Sequence, residues 1–146
     1  MNEVCVDASL IVKLAQRGEF HRDKARQLVL DAGQSDTQLI APPMFESELD
    51  TIIRRRVYDG RLTSAEAQRA SRGLDSVIVK ILNPAGVRYR AREIAAEFNQ
   101  SRVYDSTYAA LAEIRGCEFW TADRAYCDDV SAELHYVRYL ADYPMP

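Results

Sequence analysis

Short runs of strand-forming residues at Val4 to Val6, Leu39 to Ala41, Val77 to Leu82 and Cys117 to Thr121 are each parted from the next by long stretches with helical spacing. Strands joined through helices need long crossover connections, which pair them in parallel and lay helices over both faces of the sheet. The alternation therefore predicts an α/β fold, a three-layer α/β/α sandwich with a central, mainly parallel sheet. With 146 residues, 47% of them apolar, the expectation is a single domain over 1–146, since domains commonly run to roughly 100–200 residues.

The boundaries follow from local chemistry. Asp7-Ala8-Ser9 comes directly after Val4 to Val6 and before LIVKLA, so Asp7 closes a strand and opens a helix. A second helix is expected from His21 to Ala32. Pro42 and Pro43 start another, over Met44 to Val57, because proline suits a first helical turn. Thr63-Ser64-Ala65-Glu66 reads as a capping box for a helix to about Gly73. Val77 to Leu82 reads as a buried strand ended by Asn83-Pro84, and a helix is expected over Val87 to Gln100. A helix from Asp105 to Arg115 stops at Gly116, the strand Cys117 to Thr121 follows, and Asp123 comes just after it.

In parallel sheets, ligands bind beyond the carboxyl ends of the strands. Asp7 and Asp123 both stand there, and Asp105 begins the helix that feeds the last strand. Along Met44 to Val57, Phe45, Leu49, Ile52 and Ile53 form an apolar stripe. At about 100° per residue Glu48 falls within it, while Glu46 and Asp50 fall on its edge or opposite. An inward carboxylate carries a desolvation cost unless something pairs with it. Each Asp by itself also reads as a helix N-cap. Taken together, Asp7, Glu48, Asp105 and Asp123 point to one shared pocket.

Crowded carboxylates repel, and one takes up a proton unless a cation is present. An all-oxygen donor set favours Mg²⁺ or Mn²⁺. Such an ion polarises a phosphoryl oxygen and lowers the pKa of a water it holds, chemistry suited to phosphodiester hydrolysis. No histidine or serine nucleophile is needed, and His21 and His135 lie outside the acidic positions.

The net charge of −3 gives no long-range attraction to nucleic acid. Contact with RNA must be local: Arg54, Arg55 and Arg56, with Arg61 a turn later, read either as phosphate contacts or as a solvated helix end. No apolar run approaches the roughly 20 residues of a membrane span, and MNEVCVDAS has no basic leader. A cytoplasmic location is expected. Cys5, Cys117 and Cys127 form no CxxC pair, so neither a disulfide framework nor a zinc site is indicated, and Cys5 and Cys117 read as buried filler.

VDAS, APPMFESEL, VYDSTYAALAE and TAD together resemble the motifs of PIN-domain proteins, and among these the VapC-type toxins of bacterial and archaeal toxin–antitoxin pairs. The set spans nearly the whole chain in the family's order. The resemblance implies an α/β/α sandwich, a Mg²⁺- or Mn²⁺-dependent endoribonuclease, a homodimer and a small cognate VapB-like antitoxin. It matches Asp7, Glu48, Asp105 and Asp123 to the family's acids, with Asp7, Asp105 and Asp123 as metal ligands. Ser9 and Thr121 match the hydroxyl residues that support the first and last acids. Arg54, Arg55 and Arg61 stand as RNA-contact candidates.

The chain departs from the pattern at Thr51, where Asn often follows the helix Glu, and at Pro43, where Glu is common. Three other readings stay open: a housekeeping PIN nuclease without an antitoxin, an inactive PIN fold kept for binding proteins, and a phosphatase of another α/β family. The phosphatase would want a second Asp two residues after the first, where Ser9 stands, and no GxxxxGK loop is present. The inactive module would be expected to have lost an acid, and all four are here.

Overall fold

The computed structural model describes residues 2–146. Five strands, β1 (Asn2–Val6), β2 (Thr37–Ala41), β3 (Lys80–Ile81), β4 (Glu118–Thr121) and β5 (Val137–Tyr139), form one sheet in the order β3-β2-β1-β4-β5. Every neighbouring pair is parallel. Between the strands lie α1 (Ala8–Ile11), α2 (Arg22–Gln34), α3 (Phe45–Tyr58), α4 (Ser64–Asp75), α5 (Val87–Glu97), α6 (Tyr104–Arg115) and α7 (Arg124–Val130).

Leu39, Ile40 and Ala41 are buried in succession, as are Phe119, Trp120 and Thr121. Successive strand residues face opposite sides of the sheet, so both faces are covered and the architecture is a three-layer sandwich. Right-handed crossovers put α1 to α4 over one face as the chain steps from β1 to β2 to β3. The chain then returns across the sheet to β4, which carries α5 to α7 to the other face. The packing agrees: α3 meets α1 and α4, while α6 lies against α5, β1 and β4.

Small residues let α6 approach the sheet closely. Ala109, Ala110 and Ala112 are wholly buried, and the buried ring of Tyr108 stacks on Phe119 with centroids 5.5 Å apart. Gly116 ends the helix at φ 67°, a left-handed conformation that side-chain-bearing residues adopt at a cost. The capping box of α4 is present as expected, with Thr63 Oγ1 accepting from the Glu66 N–H at 3.1 Å and Glu66 Oε1 from the Thr63 N–H at 2.9 Å.

The run Val77 to Leu82 departs from expectation. Only Lys80–Ile81 pairs as a strand, at the sheet edge, and Ile78 is 80% exposed. An edge position offers one neighbour instead of two, so apolar composition there did not translate into burial. LIVKLA keeps a regular helix only to Ile11 before tightening into a 3₁₀ turn over Val12–Leu14. The helix from Val87 stops at Glu97, ahead of Asn99, whose φ of 51° breaks the run. Helix α7 and strand β5 have too few residues to announce themselves by periodicity and were not anticipated.

Gly116→Ala is expected to lower stability by about 1 kcal/mol, the cost of forcing a Cβ into the left-handed region, because no neighbouring atom lies within 4 Å to add a clash. Urea unfolding of the variant beside the parent measures it. A neutral result would mean that the helix end relaxes out of this conformation.

Candidate active site

The chain leaves β1 toward β2 on one side, while β4 flanks β1 on the other. This reversal opens a crevice beyond the carboxyl ends of β1 and β4. Asp7 stands at the first end and Asp123 at the second, each capping the helix that follows. The capping role and membership of the crevice hold together for both residues.

Asp7 is 3% exposed. Its Oδ1 accepts from the Leu10 N–H at 3.0 Å and from the Ser9 hydroxyl at 2.8 Å, and its Oδ2 accepts from the Thr121 hydroxyl. Thr121 Oγ1 in turn accepts from the Asp123 N–H at 3.0 Å, and Ser9 Oγ from the Ala122 N–H at 3.3 Å. Ser9 and Thr121 thus both serve Asp7 directly, and Thr121 also fixes the backbone at Asp123. Asp123 Oδ1 accepts from the Tyr126 N–H at 3.0 Å.

Glu48 reaches the same crevice from α3. It is half-buried, whereas Glu46 and Asp50 are exposed, as the helical phase requires. Its Oε1 accepts from the Tyr108 hydroxyl at 3.1 Å. Tyr108 is the site residue that reading the sequence missed. The available signal was its place in YDSTYAALAE, three residues after Asp105 and therefore on the same helix face.

Burial pushes Asp7 up to about 6, against the lowering hydrogen bonds from Thr121, Ser9 and Leu10, and Glu48 adds repulsion. Burial also raises Glu48, partly offset by Tyr108. Asp105 rises furthest, to about 8. Desolvation leads, followed by a side-chain hydrogen bond with Asp123 and repulsion from Asp7, Asp123 and Glu48. Four acids from distant parts of the chain therefore act on one another. None of them forms an ion pair with Lys or Arg among the described residues. Among those residues, too, no three carboxyls close into a finished cation-binding shell.

The arginines separate. Arg54 and Arg55 are exposed on α3, whereas Arg56 pairs with Glu19 and donates to Gln16. Arg61 lines a different hollow with Arg17, Gly18 and Arg56. His135 is exposed, and His21 is partly buried against Phe20. Cys5 and Cys127 are buried, Cys117 is partly so, and all three are free thiols.

A parallel α/β/α sandwich with an acidic crevice at its switch point is the class of protein this chain represents. The PIN domain profile matches residues 4–130. Ribonuclease VapC9 of Mycobacterium tuberculosis and a VapC ribonuclease of Mycobacterium bovis are each 30% identical over 130 residues, covering 89% of this chain and 93% of theirs. PAE2754 of Pyrobaculum aerophilum superposes with a TM-score of 0.65 at 22% identity, over 96% of this chain and 92% of that one. VapC20 of Mycobacterium tuberculosis, described as a sarcin–ricin loop cleaving toxin, gives 0.61 at 19% identity, over 92% and 98%. The chain belongs to the PIN-domain family, in its VapC ribonuclease branch.

The raised acids set the pH dependence of folding. A carboxyl whose folded pKa lies above its unfolded value contributes stability that is complete below the unfolded pKa and is lost as pH rises through the folded one. Glu3, Asp31 and Glu66 are lowered instead, by their hydrogen bonds, so what they contribute changes at more acid pH, below the ordinary carboxylate range. Melting temperature in EDTA should therefore fall between pH 5 and pH 8 as Asp7 and then Asp105 lose their protons. Asp7→Asn should flatten the lower half of that slope. A melting temperature that is level or rising across the window would contradict a crowded acid pocket.

Proposed function

We propose that the protein is a Mg²⁺- or Mn²⁺-dependent endoribonuclease, acting as one domain over 1–146, and the toxin of a VapBC-type pair. What carries the reading is the convergence of Asp7, Glu48, Asp105 and Asp123 on one crevice with no basic side chain paired to them among the described residues, where burial first and then the neighbouring acids push Asp105 up. Its setting in a family of named ribonucleases supplies the reaction class.

The residues fit a hard divalent cation. The donors are all carboxylate oxygens, and Asp7 is already oriented by Ser9 and Thr121 in the way outer partners orient a metal ligand. Asp7, Asp105 and Asp123 would hold the ion, which on binding supplies charge to polarise the phosphoryl group and acidify a water. Ser9 and Thr121 act as positioning residues, fixing both oxygens of Asp7. Tyr108, its hydroxyl held neutral by burial and by Glu48, donates to Oε1 of Glu48 and leaves Oε2 free. Glu48, its free oxygen at the crevice, would accept the proton of an attacking water, and burial, which raises it, makes it a stronger base than an exposed carboxylate.

An acidic crevice open to an RNA phosphate is equally open to a basic side chain from an inhibitor, which could pair with Asp7 or Asp105 in a charge-assisted contact. A cognate VapB-like antitoxin fits that chemistry. A homodimer in the cytoplasm completes the reading and rests on family likeness. It accords with the fact that no helix among the described residues is long and apolar enough to cross a membrane.

Asp7→Asn should fold, since Asn also caps a helix. It and Asp105→Asn should each lose roughly 100-fold or more of metal-dependent RNA cleavage, the scale seen when one preorganised charge is removed. Asp50→Asn, on the exposed face of α3, should cleave like the parent. End-labelled RNA incubated with Mg²⁺, Mn²⁺ or EDTA measures the activity, and growth on induction reports toxicity. Parental cleavage by the Asp7 variant would reject the site, and a dead Asp50 variant would reject the assigned face of α3.

A further inference from the structure

An open groove of about 920 Å³ runs from Glu48 along α3 to the loop that leads into α6. That size lies within the roughly 300–1,000 Å³ of ligand-binding clefts. Met44, Thr51 and Arg55 line one wall, and Arg102, Val103 and Tyr104 the other. Glu48 is shared with the acid crevice, and Tyr104 directly precedes Asp105, so the groove leads to the reacting carboxyls.

The groove is cationic and partly aromatic. Arg55 and Arg102 are exposed and form no ion pair among the described residues, although the chain as a whole is net negative. Tyr104 leaves 53% of its surface in solvent and Val103 44%. No side chain caps the first turn of α6, so its N–H groups remain available at this end of the groove.

Two free guanidiniums and an exposed aromatic ring beside a hydrolytic site match the elements by which proteins hold single-stranded nucleic acid, with phosphates on the arginines and a base on the ring. A stacked base must be out of a duplex, so the groove selects for unpaired RNA. We infer that the groove between α3 and the Arg102–Tyr104 loop holds the single-stranded segment flanking the scissile phosphate, with Tyr104 stacking on one base and Arg55 and Arg102 contacting phosphates. This deepens the ribonuclease reading and rests on it. A second protein copy is the other occupant to tell apart: it would have to bring a carboxylate to each guanidinium, since Glu48, already bonded to Tyr108, is the one acid among the residues lining the groove.

The test uses the full-length Asp7→Asn protein in Mg²⁺ buffer and a fluorescein-labelled, mixed-sequence 12-nucleotide RNA, either single-stranded or annealed to its complement. Fluorescence anisotropy over a salt series gives Kd. Tyr104→Ala should weaken single-strand binding about ten-fold, in the range expected for one lost base stack, while Tyr104→Phe and Tyr104→Trp restore it. Duplex binding should be unmoved by Tyr104→Ala. Arg55→Ala and Arg102→Ala should each flatten the slope of log Kd against log salt by about 0.7, as for one phosphate contact to a single strand.

Unchanged single-strand binding in Tyr104→Ala, or an equal loss on duplex, overturns the inference. So does a shift of the Tyr104→Ala protein from dimer to monomer on sizing, which would make the ring an interface residue. Cleavage of total RNA by the unmutated chain separates the two readings. Cleavage with an indifferent Tyr104 sinks the groove alone, absence of both cleavage and RNA binding sinks both, and Tyr104-dependent binding without cleavage keeps the groove and sinks the nuclease.

Discussion

Thr121 at the end of β4 donates its hydroxyl proton to Asp7 at the end of β1, joining residues 114 positions apart. Everything in the crevice is arranged around that contact. It holds a buried carboxylate at the one place where parallel strands leave room for a ligand, and the same Thr121 oxygen receives the backbone N–H of Asp123. A hydrogen bond to a charged group contributes about 1.5–3 kcal/mol. Three such bonds to Asp7 offset much of its desolvation without abolishing it, since the carboxyl still rises to about 6.

The fold tolerates this tension because the acids share it unequally. Asp7 sits deepest and is held by hydroxyls and a helix N-terminus, whereas Asp105, desolvated and then repelled by the other three, takes the largest upward shift of the four acids. Glu48 comes from a different layer and is aligned by Tyr108, itself locked by stacking on Phe119 in the core. Core packing, acid orientation and the electrostatics of the crevice are thus one connected arrangement. Beside it, the groove of Arg55, Arg102 and Tyr104 carries the positive charge that the crevice lacks, next to Glu48 but without an ion pair to it.

Much of this was legible in the residues, for identifiable reasons. Asp7 and Asp123 follow strand-forming runs immediately, and a parallel sheet sends such positions to one edge. Glu48 declared itself by helical phase, and the exposure of Glu46 and Asp50 bears the phase out. Gly116 stopped α6 where a left-handed residue was required. What failed did so where composition and position part company. Val77 to Leu82 is apolar enough for an interior strand, yet lies at an edge with Ile78 in solvent. Helix α7 and strand β5 were too short to carry a period.

The sequence by itself determined the order of the elements as far as β4, the parallel sheet and which acids stand at strand ends or on the inward face of α3, because periodicity, caps and strand ends are local properties that the chain writes in consecutive residues. Only the tertiary structure decided that Tyr108 would hold Glu48, that Ser9 and Thr121 would converge on one carboxylate, and that Arg55 rather than Arg56 or Arg61 would face the groove beside the acids. Those outcomes depend on which helix lies over which strand. Contacts between residues some 60 to 114 positions apart are fixed by packing in three dimensions, where no local pattern reaches.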